Sequence, residues 1–330
     1  MTQLTTLSTP PVGVAPVART DQPADRPGVP VTTGTQLWRS WHLHVASEAR
    51  TAQDRVVVDV IRPVVDALPG HRWFFIRYWQ GGPHLRLRIA DLDPGAAARV
   101  EDELCRRLTG AGRLRAGEEP VDAATYLAGA SRHAAAEHGA DRVVSALRAP
   151  GVHHDEYHPE VERYGGSALL PLTEQSFHES SQLAVDLLPR LGDERARVTA
   201  ALRVTVAAAA ALGDETVQAE YYRRSLDAWC AWATAVGFTG AQVEQLCHID
   251  AAPSPTAVAG LVDRSTAGPF GQWHDGLTVL AEQVHRTTPV PPGQVVFSHA
   301  HMLHNRLGRN ILDELRVYAW LVRAFPGDRA

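Results

Sequence analysis

Apolar and polar positions fall into regular periods from Leu37 onward. Residues 37–45 (LWRSWHLHV) set Trp41, Leu43 and Val45 against Ser40, His42 and His44, the two-residue period of a half-buried strand. Residues 47–67 change to the helical period, with Val56, Val57, Val60, Ile61, Val64 and Val65 on one stripe. Pro63 predicts a kink there, or a break after Arg62, and Leu68-Pro69-Gly70 closes the segment. Residues 73–79 (WFFIRYW) are aromatic and β-branched, Gly81-Gly82-Pro83 turns the chain, and residues 84–90 (HLRLRIA) alternate strictly, which predicts a β-hairpin. A helix over 94–109, opened by Asp93-Pro94, follows. The order β-α-β-β-α resembles part of a ferredoxin-like sandwich and places the chain in the α+β class.

Residues 110–165 are less regular, with a helical stretch over 134–148 and a strand or loop over 153–163. Beyond Pro171 the pattern turns helical. Phe177, Ala184, Leu187 and Leu188 mark one amphipathic helix; others are expected over 194–212, 215–236, 240–248 and 272–286, with a final pair over 294–324. No long linker interrupts the ordered part, so residues 35–330 read as a single compact unit. Residues 1–34, rich in Thr, Pro, Val and Gly, carry too few large apolar side chains to offset ordering entropy and read as a disordered tail.

Composition changes this picture little. With 45% hydrophobic and 21% charged residues the chain is ordinary globular protein, and a net charge of -5 supplies no basic footprint for nucleic acid. Any anion site must be local. Cys105, Cys230 and Cys247 show no CxxC spacing and read as reduced, mostly core thiols. Neither a signal peptide nor a membrane span is legible, which predicts a cytoplasmic protein.

Three segments carry candidate chemistry. In the second hairpin strand His84, Arg86 and Arg88 share one face. Alternation alone describes a solvated charged face. Yet two guanidiniums about 7 Å apart repel unless an anion lies between them, and arginine's planar fork suits a carboxylate. In residues 157–166 (YHPEVERYGG), Glu160 and Arg163 stand three apart before a Gly-Gly pair; taken alone they describe a surface ion pair. His153, His154 and His158 have no carboxylate or cysteine at a metal-ligand spacing, so no metal is expected. In residues 297–308 (FSHAHMLHNRLG), His301 and Asn305 share a helical face, where a histidine can exchange protons or simply pack in the core. Arg309-Asn310 and Asp313-Glu314 read as solvated helix surface. Phosphate-cradling, dinucleotide, metalloprotease and GxSxG patterns are absent.

Taken in order, residues 73–88 (WFFIRYWQGGPHLRLR), 157–166 with 174–181 (EQSFHESS), and 301–308 (HMLHNRLG) ahead of a Glu-bearing helix resemble the C-terminal elimination domain of class I lantibiotic dehydratases. The same fold occurs in stand-alone thiopeptide-biosynthesis proteins. The resemblance runs from about Leu37 to the C-terminus. It implies a lyase: a separate domain glutamylates peptide Ser or Thr from glutamyl-tRNA, and this domain expels glutamate to leave dehydroalanine or dehydrobutyrine. The family's elimination residues fall on Arg86, Arg88, Glu160, Arg163 and His301. Arg86 and Arg88 are then expected to hold the glutamyl group. Arg163, oriented by Glu160, stabilises developing charge, and His301 transfers a proton. No cofactor is implied. The expected partners are a ribosomal precursor peptide and a separate glutamyl-tRNA-dependent glutamylation enzyme; a homodimer is compatible. A second reading follows from related thiopeptide proteins, which join two dehydroalanines in a formal (4+2) cycloaddition (pyridine synthases) and can release the leader peptide. A third is a non-catalytic peptide-binding subunit. The retained arginines, Glu160 and His301 place elimination first.

Overall fold

The computed structural model describes residues 36–138, 145–249 and 255–326; the expected disordered tail lies outside them. Strand β1 (Trp38–His44) leads into a helical rod: α1 (Arg50–Val56), a π-helical turn (Val57–Ile61) and α2 (Arg62–Asp66). Of the kink or break expected at Pro63, no break appears; the irregularity is the π-helical turn that ends just before Arg62. A proline offers no N–H and its ring crowds the carbonyl four residues back, so the wider turn before it keeps the rod continuous. Strands β2 (Trp73–Tyr78) and β3 (His84–Ala90) form the hairpin, and α3 (Pro94–Ala111) starts at Asp93, whose side chain accepts from the Ala96 N–H. Gly81 and Gly82 turn the hairpin at φ 85° and 98°, a left-handed region that other residues enter only with strain.

Helix α4 (Ala123–His138) and strand β4 (Gly151–Asp155) complete the first half. The helix expected over 134–148 does not extend to its predicted end: residues 145–150 are irregular, and 139–144 lie outside the described residues. The sheet order is β2-β3-β1-β4, with every pair antiparallel. One face carries Trp41, Leu43, Leu85, Leu87 and Ile89, all fully buried and sharing a core with Val56, Val60, Ile61 and Leu104 of the helices.

The second half is helical: α5 (Leu170–Leu187), α6 (Glu194–Ala210), α7 (Glu215–Ala235), α8 (Gly240–Leu246), α9 (Pro255–Ser265), α10 (Gly271–Thr287), α11 (Pro292–Arg306) and α12 (Ile311–Ala324). Of these, α9 lies outside the helices expected from the sequence. Every residue of α11 from Val295 to Arg306 is buried, so this helix runs through the interior, with α5, α6, α10 and β2 packed around it. The cysteines are less uniformly buried than expected. Cys105 is exposed, while the Cys230 and Cys247 sulfurs stand 3.7 Å apart on a half-buried seam.

The two halves are joined along β2, an edge strand of the sheet. An edge strand leaves every second N–H and C=O unpaired. Here side chains of the helical half take them. His178 Nδ1 lies 2.9 Å from the Trp73 carbonyl, and Ser181 Oγ accepts from Phe75 N–H at 3.2 Å. The Asn305 amide accepts from Arg77 N–H (2.8 Å) and donates to its carbonyl (3.0 Å). Below this seam Asp54 is shared by Arg77 and Arg197, each 2.6 Å away. Helix α11 is thereby fixed in register with the hairpin that carries Arg86 and Arg88.

Candidate active site

The other face of the sheet is polar. Register pairs His84, Arg86 and Arg88 with His44, His42 and Ser40 on β1, and with Tyr78, Ile76 and Phe74 on β2. Strand β4 adds His153 and Asp155. This is not the solvated face that alternation describes: His84 is 1% exposed, Arg88 7%, and Arg86 is half-buried. Aromatic rings cover the cations. The Arg86 guanidinium carbon lies 3.5 Å from the Tyr78 ring centre; that of Arg88 lies 4.5 Å from Tyr157 and 5.3 Å from Phe74. Burial pulls Arg88 down to about 10, with repulsion from Arg86 adding to it, and still leaves it charged at neutral pH.

The loop after β4 holds Glu160 and, in a 3-10 turn (Glu162–Tyr164), Arg163. Arg163 Nη1 donates to Glu160 Oε2 at 3.1 Å, the ion pair expected from the spacing, and its Nε reaches Ser298 Oγ on α11 at 3.4 Å. Gly165 and Gly166 then reverse the chain at φ 88° and 105°; a Cβ on Gly165 would stand 2.7 Å from Leu169 Cδ1. His301 follows Ser298 by one helical turn. Its Nδ1 is 2.8 Å from Glu314 Oε1.

Glu314 and Arg309 are not solvated as expected; they are 1% and 7% exposed. The short connection between α11 and α12 folds the second helix back, so its first turn faces the first helix. Burial drives the two groups in opposite directions: His301 falls well below its ordinary value, and Glu314 rises to about 8. The pair is therefore neutral near pH 7. His301 Nε2 and Glu314 Oε2 are buried and have no partner among the described residues. The charges acting on His301 are those of Arg163 and Glu160, and Glu160 also acts on Arg86 and Arg88. The five anticipated residues thus surround one region. Sequence reasoning missed Glu314 as the partner of His301, and also the covering rings Tyr78 and Tyr157. The Glu-bearing helix after the histidine motif was the available signal for Glu314.

One group among the described residues has metal-ligating atoms close together: His42, His44 and His84, within 4.8 Å of one another. None of the three belongs to the triplet weighed from sequence, whose His153 instead meets the Ala149 carbonyl at 3.0 Å. The rings of His42 and His44 stack on His84 at 27° and 21°, which sets their lone pairs side by side rather than toward a common point. His84 Nε2 already accepts from Arg86 Nε at 3.2 Å. Burial, helped by Arg86, holds His42 at about 3 and His44 at about 4. The stack is uncharged imidazole beside a guanidinium, a poor setting for a cation.

Fold and site together describe an α+β protein in which an arginine-bearing sheet face meets an interior helix that carries a buried histidine–carboxyl pair. The chain belongs to the lantibiotic biosynthesis dehydratase C-terminal family, whose model matches residues 38–325. Among solved structures it is similar to the pyridine synthase TbtD from thiomuracin biosynthesis (TM-score 0.66, 19% identity, 86% of this chain and 97% of that one). It is also similar to TsrL (TM-score 0.60, 16% identity, 88% and 95%). A third likeness is the tRNA-dependent lantibiotic dehydratase MibB from Microbispora sp. 107891 (TM-score 0.52, 22% identity), where 91% of this chain covers 28% of that one. No curated protein matches significantly. No helix among the described residues is long and apolar enough to cross a membrane.

Proposed function

We propose that this chain modifies a ribosomal precursor peptide, joining two dehydroalanines in a formal (4+2) reaction that builds a six-membered nitrogen ring. The observation that carries this reading is the buried His301–Glu314 pair, 2.8 Å apart, in which burial raises the carboxyl to about 8; a carboxyl that keeps its proton and gives it to Nδ1 leaves an N–H, rather than a lone pair, at Nε2. Ring formation leaves a hydroxyl and an amide substituent on the new ring. Each departs as a neutral molecule, water or the leader amide, only once it is protonated, so the chemistry asks for an acid. His301 supplies it, Arg163 held by Glu160 steadies charge on the reacting amide, and Arg86 binds a carbonyl oxygen. The likeness to TbtD over 97% of that chain, against 28% of MibB, supports the same choice. We read the four antiparallel strands beneath the site as a ferredoxin-like platform.

Glutamate elimination is the second reading, and one observation favours it. Arg88 is buried with its Nε unpaired among the described residues, as a donor awaiting an anion is. Mass spectrometry separates the two. A linear dehydroalanine peptide should become a macrocycle that has lost water and leader, while a glutamylated precursor stays intact. Loss of glutamate from the second peptide without cyclisation of the first would overturn ring formation. If a folded, peptide-binding sample changes neither, the chain is a non-catalytic subunit. Arg86→Ala and His301→Ala should abolish turnover and spare peptide binding.

A further inference from the structure

Six arginines are buried among the described residues: Arg55, Arg77, Arg88, Arg197, Arg306 and Arg309. Four of them are neutralised at close range. Arg55 meets Glu118 at 2.8 Å, Arg77 and Arg197 share Asp54 at 2.6 Å each, and Arg309 meets Glu194 at 2.5 Å and Asp313 at 3.1 Å. That is the ordinary rule for a buried cation. Arg88 and Arg306 break it. Arg306 is 0% exposed; its Nε donates to Ser181 Oγ at 2.9 Å, but Nη1 and Nη2 have no partner among the described residues. Arg88 lacks one at Nε.

The two exceptions are neighbours. Phe74 and Phe177 pack with ring centres 5.3 Å apart; Arg88 sits 5.3 Å from the first ring and Arg306 5.3 Å from the second. Tyr157 lies against Phe74 at 5.6 Å and Tyr164 against Phe177 at 5.0 Å. Arg88 contributes repulsion to the setting of Arg306. Ser181, which holds Arg306 by its Nε, also accepts from the backbone of β2, so the free end of the fork is fixed relative to the strands. Two like charges in an aromatic box, with unpaired donors and a rigid mount, describe a site completed by an anion.

We propose that Arg88 and Arg306 form a clamp for a single carboxylate of the substrate, with Phe74, Tyr157, Tyr164 and Phe177 excluding water around it. Arg306 then becomes a binding residue. The carboxylate has two chemical sources: a glutamyl group on the peptide, or an acidic side chain of the peptide itself. Placing the substrate at this face rests on the reading above, but carboxylate binding is measured without turnover, so the two fail separately.

The test is calorimetric titration of the full chain with glutarate, with the neutral isostere glutaramide as control at matched chloride. Glutarate should bind and glutaramide should not. Arg88→Met and Arg306→Met should each weaken glutarate at least about thirtyfold, the usual effect of breaking a buried charge pair. Thermal melting of Arg306→Met should be no lower than that of the parent, since an uncompensated buried charge has been removed. If that variant does not fold, Arg306→Lys, which keeps the charge and loses the fork, should weaken glutarate in its place. A second pair of titrations assigns the source. Loss of affinity in Arg306→Met confined to a glutamylated peptide marks the glutamyl group; loss reproduced by changing the unmodified peptide's acids to amides marks its side chains. Equal binding of glutarate and glutaramide, or glutarate affinity unmoved in both arginine variants, overturns the clamp.

Discussion

Glu314→Gln decides which proton the buried pair holds. Glu314 stands 2.8 Å from His301 Nδ1, fully buried, with its pKa pushed from the ordinary 4.5 up to about 8 by loss of water. The folded protein therefore keeps a proton that the unfolded chain sheds above 4.5. Stability from this group is complete below 4.5, falls as pH rises, and stops falling near 8. A shift of that size corresponds to roughly 5 kcal/mol across the window, at about 1.4 kcal/mol per pH unit. Glutamine keeps the shape and can donate to Nδ1, but has no proton to lose. Urea unfolding of both proteins from pH 5.5 to 9 should show the variant gaining on the parent by about 1.4 kcal/mol per unit up to 8, then running level with it. His301 does not confuse the upper part of the window. Its lowered value makes it neutral in the folded state, and above pH 7.5 it is neutral in the unfolded chain too. Parallel curves would refute the reasoning: Glu314 would then be ionised beside a proton on Nδ1, and His301 would offer a base, which suits elimination.

Three further outcomes test the frame around the site. Asp54→Ala strands Arg77 and Arg197 as buried like charges and should cost about 3–5 kcal/mol in urea unfolding, largely recovered when both arginines are also changed to Met. Asn305→Leu orphans the Arg77 N–H and C=O at the edge of β2, at about 1–3 kcal/mol for each group, and hydrogen exchange should show the Arg77 amide losing protection before its neighbours. Gly165→Ala forces a side chain to φ 88° and against Leu169; about 1–3 kcal/mol of strain should accompany a lower kcat, because the turn that aims Arg163 is disturbed.

The sheet half was legible because its alternation is local. The boundaries of β3 follow from HLRLRIA, and the start of α3 from Asp93-Pro94. The five candidate site residues were proposed from motifs, each contained in one short run. What those runs do not contain is environment. Arg86 and Arg88 look solvated until Tyr78 and Tyr157 are known to cover them. Glu314 sits in a charged cluster that reads as surface, and only the fold-back of α12 turns it inward. Arg306 stands within the histidine motif yet drew no role, since an arginine's identity says nothing about whether a carboxylate will reach it.

Helix α11 shows why the missing part matters. A helix buried on all sides is ordinarily apolar, yet this one carries Ser298, His299, His301, His304, Asn305 and Arg306. Some of these are explained by structure: Asn305 closes an edge strand, and His304 Nε2 pairs with Thr205 Oγ at 2.9 Å. After these pairings one ring nitrogen each of His299, His301 and His304 and the Arg306 fork are still buried without a partner among the described residues. Folding stability alone selects against such groups, because each gives up water for nothing. Their persistence on a helix locked to β2 at Asn305 is consistent with a substrate that supplies the absent partners. An acceptor for His301 and a carboxylate for Arg306 should then stabilise the protein on binding. A precursor peptide that binds without raising the melting temperature of the parent above that of a doubly substituted His301→Ala, Arg306→Met protein would show that these groups face nothing in the complex either.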